Sequence, residues 1–228
     1  AIGANPIDLP IEGDAADKVI SVNDLEDYRI FRDRIQQARN VVIIGAGSAI
    51  FGLNTVAALM GSERLRGSQL ALVDRNADSL ALIAHLAERL NREWDAQMSI
   101  TTHTHHAKAL ESAEFVVSAI EVPPREVLWR SDYEIPLKHG VRQPYAENGG
   151  PGGFAHAARN IGPVLDIVRD MEQACPDAWF LNFTNPMIRL SWVVHRYSKI
   201  KVVGLCHQLF WAYAMAVAVL AERWNLVY

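Results

Sequence analysis

The sequence predicts an α/β fold: a doubly wound parallel sheet with helices on both faces. Three observations carry this. From residue 41 onward, short apolar runs alternate with longer segments whose apolar residues recur every three or four positions. The first run, Val41-Val42-Ile43-Ile44, is continuous rather than alternating, as a strand buried on both faces requires. It leads directly into Gly45-Ala46-Gly47-Ser48, a turn between strand and helix. Right-handed crossovers then build a parallel sheet wound outward in both directions.

The elements follow in order. Residues 1–22 read as irregular, punctuated by Pro6, Pro10 and Gly13-Asp14. Asn23 or Asp24 can cap a helix to about Gln37, with Leu25, Tyr28, Phe31 and Ile35 on its buried face. Residues 1–40 are thus an N-terminal extension, and residues 41–228 the sheet domain. After the first strand a helix spans about residues 49–59. The second strand, residues 70–73, is closed by Asp74, and the next helix has Leu80, Ile83, Leu86 and Leu90 on one stripe. Further strands are expected at residues 99–102, 115–120, 179–181 and 201–203. Leu209 to Leu220 reads as a helix apolar all round, which must be covered. A homodimer through this helix would cover it, as would a core position in the sheet's own layer; left uncovered, the segment would aggregate.

Composition narrows the class. The chain has 228 residues, enough to bury a core without disulfides. Its net charge of -4, with no basic stripe, argues against nucleic acid as a partner. Two cysteines, Cys175 and Cys206, form no disulfide framework, which points to the cytoplasm. No signal peptide is expected. The apolar run at 209–220 is shorter than the roughly 20 residues of a membrane span, so no membrane partner is expected.

The glycine turn carries chemistry. Gly45 permits a tight turn, and Gly47 lets a pyrophosphate approach the backbone at a helix start, where free N–H groups attract it. The third glycine of GxGxxG is replaced by Ile50, which should hold the helix slightly further from the strand. Asp74 ends the second strand, where an acid accepts hydrogen bonds from an adenosine ribose and disfavours a 2′-phosphate. NAD is therefore expected over NADP, although Arg75 tempers the preference. On the other reading the glycines serve only the turn, and Asp74 only caps the next helix.

Several ordered segments extend the pattern. These are GAGSAIF at 45–51, LVDRN at 72–76, IPLKHGVRQPYAENGGPGG at 135–153, RNIGPVLDIVRDMEQACPDAW at 159–179, LNFTNPM at 181–187 and VVGLCH at 202–207. Together they resemble the family-4 glycoside hydrolases over roughly residues 41–210. Residues 1–40, with AIGANPIDLPIEG and NDLEDYRIFRDRI, resemble instead the segment before the NAD domain of rubredoxin reductase-type flavoproteins. The two resemblances meet near VVIIGAG, which suggests an engineered or recombined chimera. A natural junction, a pyridine-nucleotide oxidoreductase fragment, or a designed Rossmann protein without activity are the competing readings.

The first resemblance implies a lactate-dehydrogenase-like fold that uses NAD and a divalent metal, manganese in particular. It implies glycoside cleavage by redox elimination, outside the two-carboxylate scheme. NAD⁺ takes a hydride from C3 of the sugar, a base removes the C2 proton, and the C1 substituent leaves. The implied cofactor-binding residues are Gly45, Ala46, Gly47, Ser48, Ile50, Phe51, Asp74, Arg75, Ala119, Ile120 and Asn185. Asn185 is also implied to touch the sugar, and Cys206 to be a thiolate metal ligand, beside His207. Glu147 and Asn148 occupy a sugar-facing loop where relatives carry Asp-Thr, which leaves the sugar preference open. Arg125 either reaches a ring hydroxyl or carboxylate, or is a solvated surface residue. The resemblance puts His103, His105 and His106 just after the third strand, away from the chemistry or near the adenine; they read as a solvated turn more than as a metal site, and Cys175 as structural. The family's second metal-ligand histidine and its base tyrosine belong downstream of GLCH, and the sequence stops at Tyr228. Neither Tyr213 nor Tyr228 fits the base motif. The expectation is a cofactor-binding domain, truncated before the substrate domain and catalytically incomplete.

Overall fold

The computed structural model describes residues 40–143, 149–206 and 208–224, the side chains of 209–211 and 221–224 excepted. The helix expected before residue 38, together with Glu147, Asn148, His207 and Tyr228, lies outside the described residues. Six parallel strands form one sheet: β1 (Asn40–Ile44), β2 (Gln69–Val73), β3 (Ser99–His103), β4 (Phe115–Ser118), β5 (Trp179–Asn182) and β6 (Lys201–Gly204). Their order is β3-β2-β1-β4-β5-β6. The order reverses between β1 and β4, which creates a crevice at the strands' carboxyl ends.

Six α-helices connect the described strands, α1 (Phe51–Met60), α2 (Ala77–Glu93), α3 (His106–Ala109), α4 (Arg125–Lys138), α5 (Gly150–Ala174) and α6 (Met187–Tyr197), and α7 (Gln208–Trp224) follows β6. Alternation along β1 divides the core. Val41 and Ile43 face α1 and α2 through Val56, Met60, Leu80 and Ile83. Val42 and Ile44 face the opposite layer, with Val164, Ile167 and Val168 of α5 and Leu190 and Val194 of α6. Central Phe180 and Val116 are fully buried. Each such side chain contributes about 1.5–3 kcal/mol by leaving water.

Edge strand β3 is mostly exposed, which explains its weak apolar signal. β4 is shorter than its apolar run suggests. Its pairing ends at Ile44↔Ser118, so Ala119 and Ile120 are loop residues rather than strand. The α2 cap is Asn76, whose Oδ1 accepts the Ser79 N–H at 3.0 Å; Asp74 does not cap that helix directly. α4 and α5 are tied by the Arg159 guanidinium, which grips both carboxylate oxygens of Asp132.

Candidate functional site

At the switch point lies a cleft of about 490 Å³. Gly45, Gly47 and Ser48 line its centre, and Asp74 and Arg75 the side toward β2. The loop after β3 contributes Thr104, His105 and His106. The loop after β4 contributes Ala119 through Pro123, and α5 adds Pro163, Asp166 and Ile167.

The turn is built by close approach. Gly45 has φ +90°, a region that favours glycine, and donates its N–H to Val73 O at 2.9 Å. A Cβ on Gly45 would sit 2.2 Å from the Ala119 carbonyl oxygen. Gly47 donates its N–H to Asp74 Oδ2 at 2.8 Å, and a Cβ there would strike that carboxylate. Asp74 Oδ1 accepts the Asn76 N–H at 2.9 Å. A carboxylate has about four lone-pair sites, so two such bonds leave capacity for ligand hydroxyls. Ser48 Oγ accepts the Phe51 N–H at 3.0 Å at the start of α1.

The absent third glycine has a substitute. Ile50 is 77% exposed and does not press on the strand. The close approach is made by Gly52, where a Cβ would lie 1.9 Å from the Ala46 carbonyl oxygen. The expected looser helix is therefore corrected: α1 packs tightly, two residues later than the motif places its glycine. Contact was the signal that would have found Gly52, and spacing alone hides it.

Seven of the residues expected at the cofactor line the cleft: Gly45, Gly47, Ser48, Asp74, Arg75, Ala119 and Ile120. Ala46 is fully buried, and its N–H goes to Val73 O at 3.0 Å. Phe51 packs edge-on against Phe183, with centroids 4.7 Å apart. Asn185 lies past β5, its Oδ1 accepting the Met187 N–H at 3.3 Å. Thr184 ties this turn to the cleft wall by accepting the Ile120 N–H at 3.0 Å. Arg125 begins α4, its guanidinium 4.3 Å from the Trp129 ring centre.

One group was read too narrowly from the sequence, and another was missed. His105 and His106 border the cleft, so they are more than a solvated turn. Their rings stack with centroids 4.6 Å apart. Glu121 also borders the cleft, and behind it His156 is 2% exposed. The Nε2 of His156 has no hydrogen-bond partner, an arrangement that costs about 1–3 kcal/mol when left unanswered. The available signal was position, since Glu121 follows β4 much as Asp74 follows β2.

A metal fits less well. Cys206 is exposed just past β6, and its Sγ accepts the Gln208 N–H at 3.4 Å. β5 and β6 are neighbours with Asn182↔Gly204 paired, so Asn185 and Cys206 follow adjacent strand ends. Among the described residues, however, no group of three or more His, Cys, Asp or Glu side chains could hold an ion. One thiolate is not a site. The other cysteine, Cys175, is buried, and burial pushes its thiol up to about 11, which keeps it inert.

A six-stranded sheet with a glycine turn, an acid clamp and a cleft at its switch point is a doubly wound fold of Rossmann type. The chain belongs to the family 4 glycosyl hydrolases, whose family model matches residues 40–221. It is 42% identical over 173 residues to an alpha-glucosidase of Erwinia rhapontici, covering 75% of this chain and 38% of that protein. It is 37% identical to an alpha-galactosidase of Bacillus subtilis (strain 168), covering 75% of this chain and 40% of that one. The chain thus spans about two fifths of the length of these curated relatives. Among solved structures, a 6-phospho-alpha-glucosidase from gut microorganisms in complex with NAD and Mn²⁺ superposes with a TM-score of 0.65 at 23% identity, covering 76% of this chain and 39% of that one. A 6-phospho-beta-glucosidase from Thermotoga maritima, with manganese, NAD⁺ and glucose-6-phosphate, gives 0.64 at 21%, covering 82% and 44%. These two show the fold.

Proposed function

We propose that this chain is the NAD-binding part of a glycosidase that works by redox elimination. The observation that carries the reading is the clamp of Gly47 N–H on Asp74 Oδ2, set beside Gly45 at the sheet's switch point. When bound, NAD⁺ supplies a hydride acceptor for a sugar carbon. The chain's own residues bind and orient it. Gly45 and Gly47 leave room for a pyrophosphate, and the start of α1 draws its charge. Asp74 accepts ribose hydroxyls and repels a 2′-phosphate, with Arg75 as a partial counterweight.

Asn185, Arg125, Glu147 and Asn148 are proposed sugar contacts, and Cys206 a ligand for manganese that the described residues do not complete. The chain by itself is therefore expected to bind NAD without turning over glycosides. We further place it in the cytoplasm, in keeping with its unpaired cysteines, and as a homodimer through α7.

Titration calorimetry tests the reading. NAD⁺ should release heat and bind at least about tenfold more tightly than NADP⁺, and Asp74→Asn should weaken NAD⁺ by about tenfold. Absence of heat and of any thermal shift at millimolar NAD⁺ would overturn it.

A further inference from the structure

Glu121 and the buried histidine behind it have no role in the reading above. The Glu121 side chain is 30% exposed and borders the cleft. Its Oε1 accepts the Val122 N–H at 3.1 Å. Its Oε2 lies 3.7 Å from His156 Nε2 and 3.8 Å from Arg125 Nε, both just beyond hydrogen-bond length. His156 is almost fully buried, and its Nε2 lacks a hydrogen bond. Trp129 holds the ring edge-on with centroids 5.9 Å apart. A carboxylate beside it favours the tautomer with hydrogen on Nε2. A small inward movement of Glu121 would satisfy that nitrogen and fix the carboxylate.

Sheet order gives this carboxylate its meaning. β2 and β4 are the two neighbours of β1. Asp74 stands just past β2, Glu121 just past β4, and the glycine turn lies between them. Strand spacing puts β2 and β4 roughly 10 Å apart. A dinucleotide laid across the turn puts its pyrophosphate on the glycines and one ribose to each side. The acid on the β2 side serves the first ribose. The acid on the β4 side meets whatever hydroxyls lie beyond the pyrophosphate.

We propose that Glu121 binds a vicinal diol at the β4 side of the cleft, with His156 as the positioning residue that holds its carboxylate. The inference rests on the NAD reading. Two sources present this chemistry there: the second ribose of the dinucleotide, and a pyranose ring.

Calorimetry on the full chain separates them. NAD⁺ carries the second ribose and ADP does not; methyl α-glucoside, added with NAD⁺ present, represents the sugar. Glu121→Gln keeps the side chain's shape and removes its charge. If the ribose is the diol, this variant weakens NAD⁺ by roughly tenfold and leaves ADP within about twofold. If the sugar is the diol, NAD⁺ and ADP are unchanged and the glucoside weakens instead. His156→Phe should reproduce the same selective loss, and His156→Gln, which retains a donor, should restore part of it. Unaltered protein that binds neither NAD⁺ nor ADP removes the functional reading, and this inference with it. Binding by the unaltered protein that Glu121→Gln leaves within about twofold for NAD⁺ and glucoside alike overturns this inference alone.

Discussion

His106 shows how one side chain reports on the cleft. Its Nε2 lies 2.8 Å from Asp170 Oδ2, yet the approach is off-line and leaves no well-formed hydrogen bond. Burial pushes its pKa below the ordinary 6.5; Asp170 opposes this, while stacked His105 and nearby Arg75 add to it. The unfolded ring therefore binds more protons than the folded one in the window just below 6.5. Stability from this group is complete above that value and is lost as pH falls through the folded pKa. Melting temperature should drop between about pH 7.5 and about pH 5.5, and His106→Gln should drop less. Equal drops would show that His106 is not the group responsible. The HxHH pattern raised a metal question in the sequence, but only the meeting of α3 with α5 shows that the ring is half-enclosed beside a carboxylate.

Among the elements, α1 is the one whose placement matters most. Its register against β1 depends on Gly52 lying against the Ala46 carbonyl. Gly52→Ala must move the helix or the turn, because a Cβ at 1.9 Å from backbone cannot be accommodated. The expected loss is about 1–3 kcal/mol, read from the urea midpoint, with weaker NAD⁺ binding as the turn shifts. Unchanged stability would refute that packing role. The central strands were legible because burial on both faces demands continuous apolar runs. β4 was overextended because Ala119 and Ile120 are apolar for another reason: they wall the cleft. Pairing with β1 ends at Ile44↔Ser118 and pairing with β5 at Ser118↔Asn182, so the strand stops on both sides at once.

Across the whole molecule, apolar surface remains exposed on α7, where Tyr213 is 62%, Met215 61% and Val219 75% accessible. Contiguous apolar surface of this kind seeks a partner. Sedimentation velocity should show concentration-dependent dimerisation, and Val219→Lys should abolish it. A clean monomer at high concentration would count against a dimer through α7. No described helix is long and apolar enough to cross a membrane.

The sequence by itself determined the parallel sheet, the glycine turn, the acid at the end of β2 and the family motifs. These are local matters of periodicity, turn chemistry and short spacing, all set by near neighbours along the chain. Tertiary structure alone decided the strand order, the substitution of Gly52 for the missing glycine, and the meeting of Glu121 with His156. Those depend on which distant segments share a layer. Packing settles that, because each apolar face must be covered before any polar group finds its neighbour.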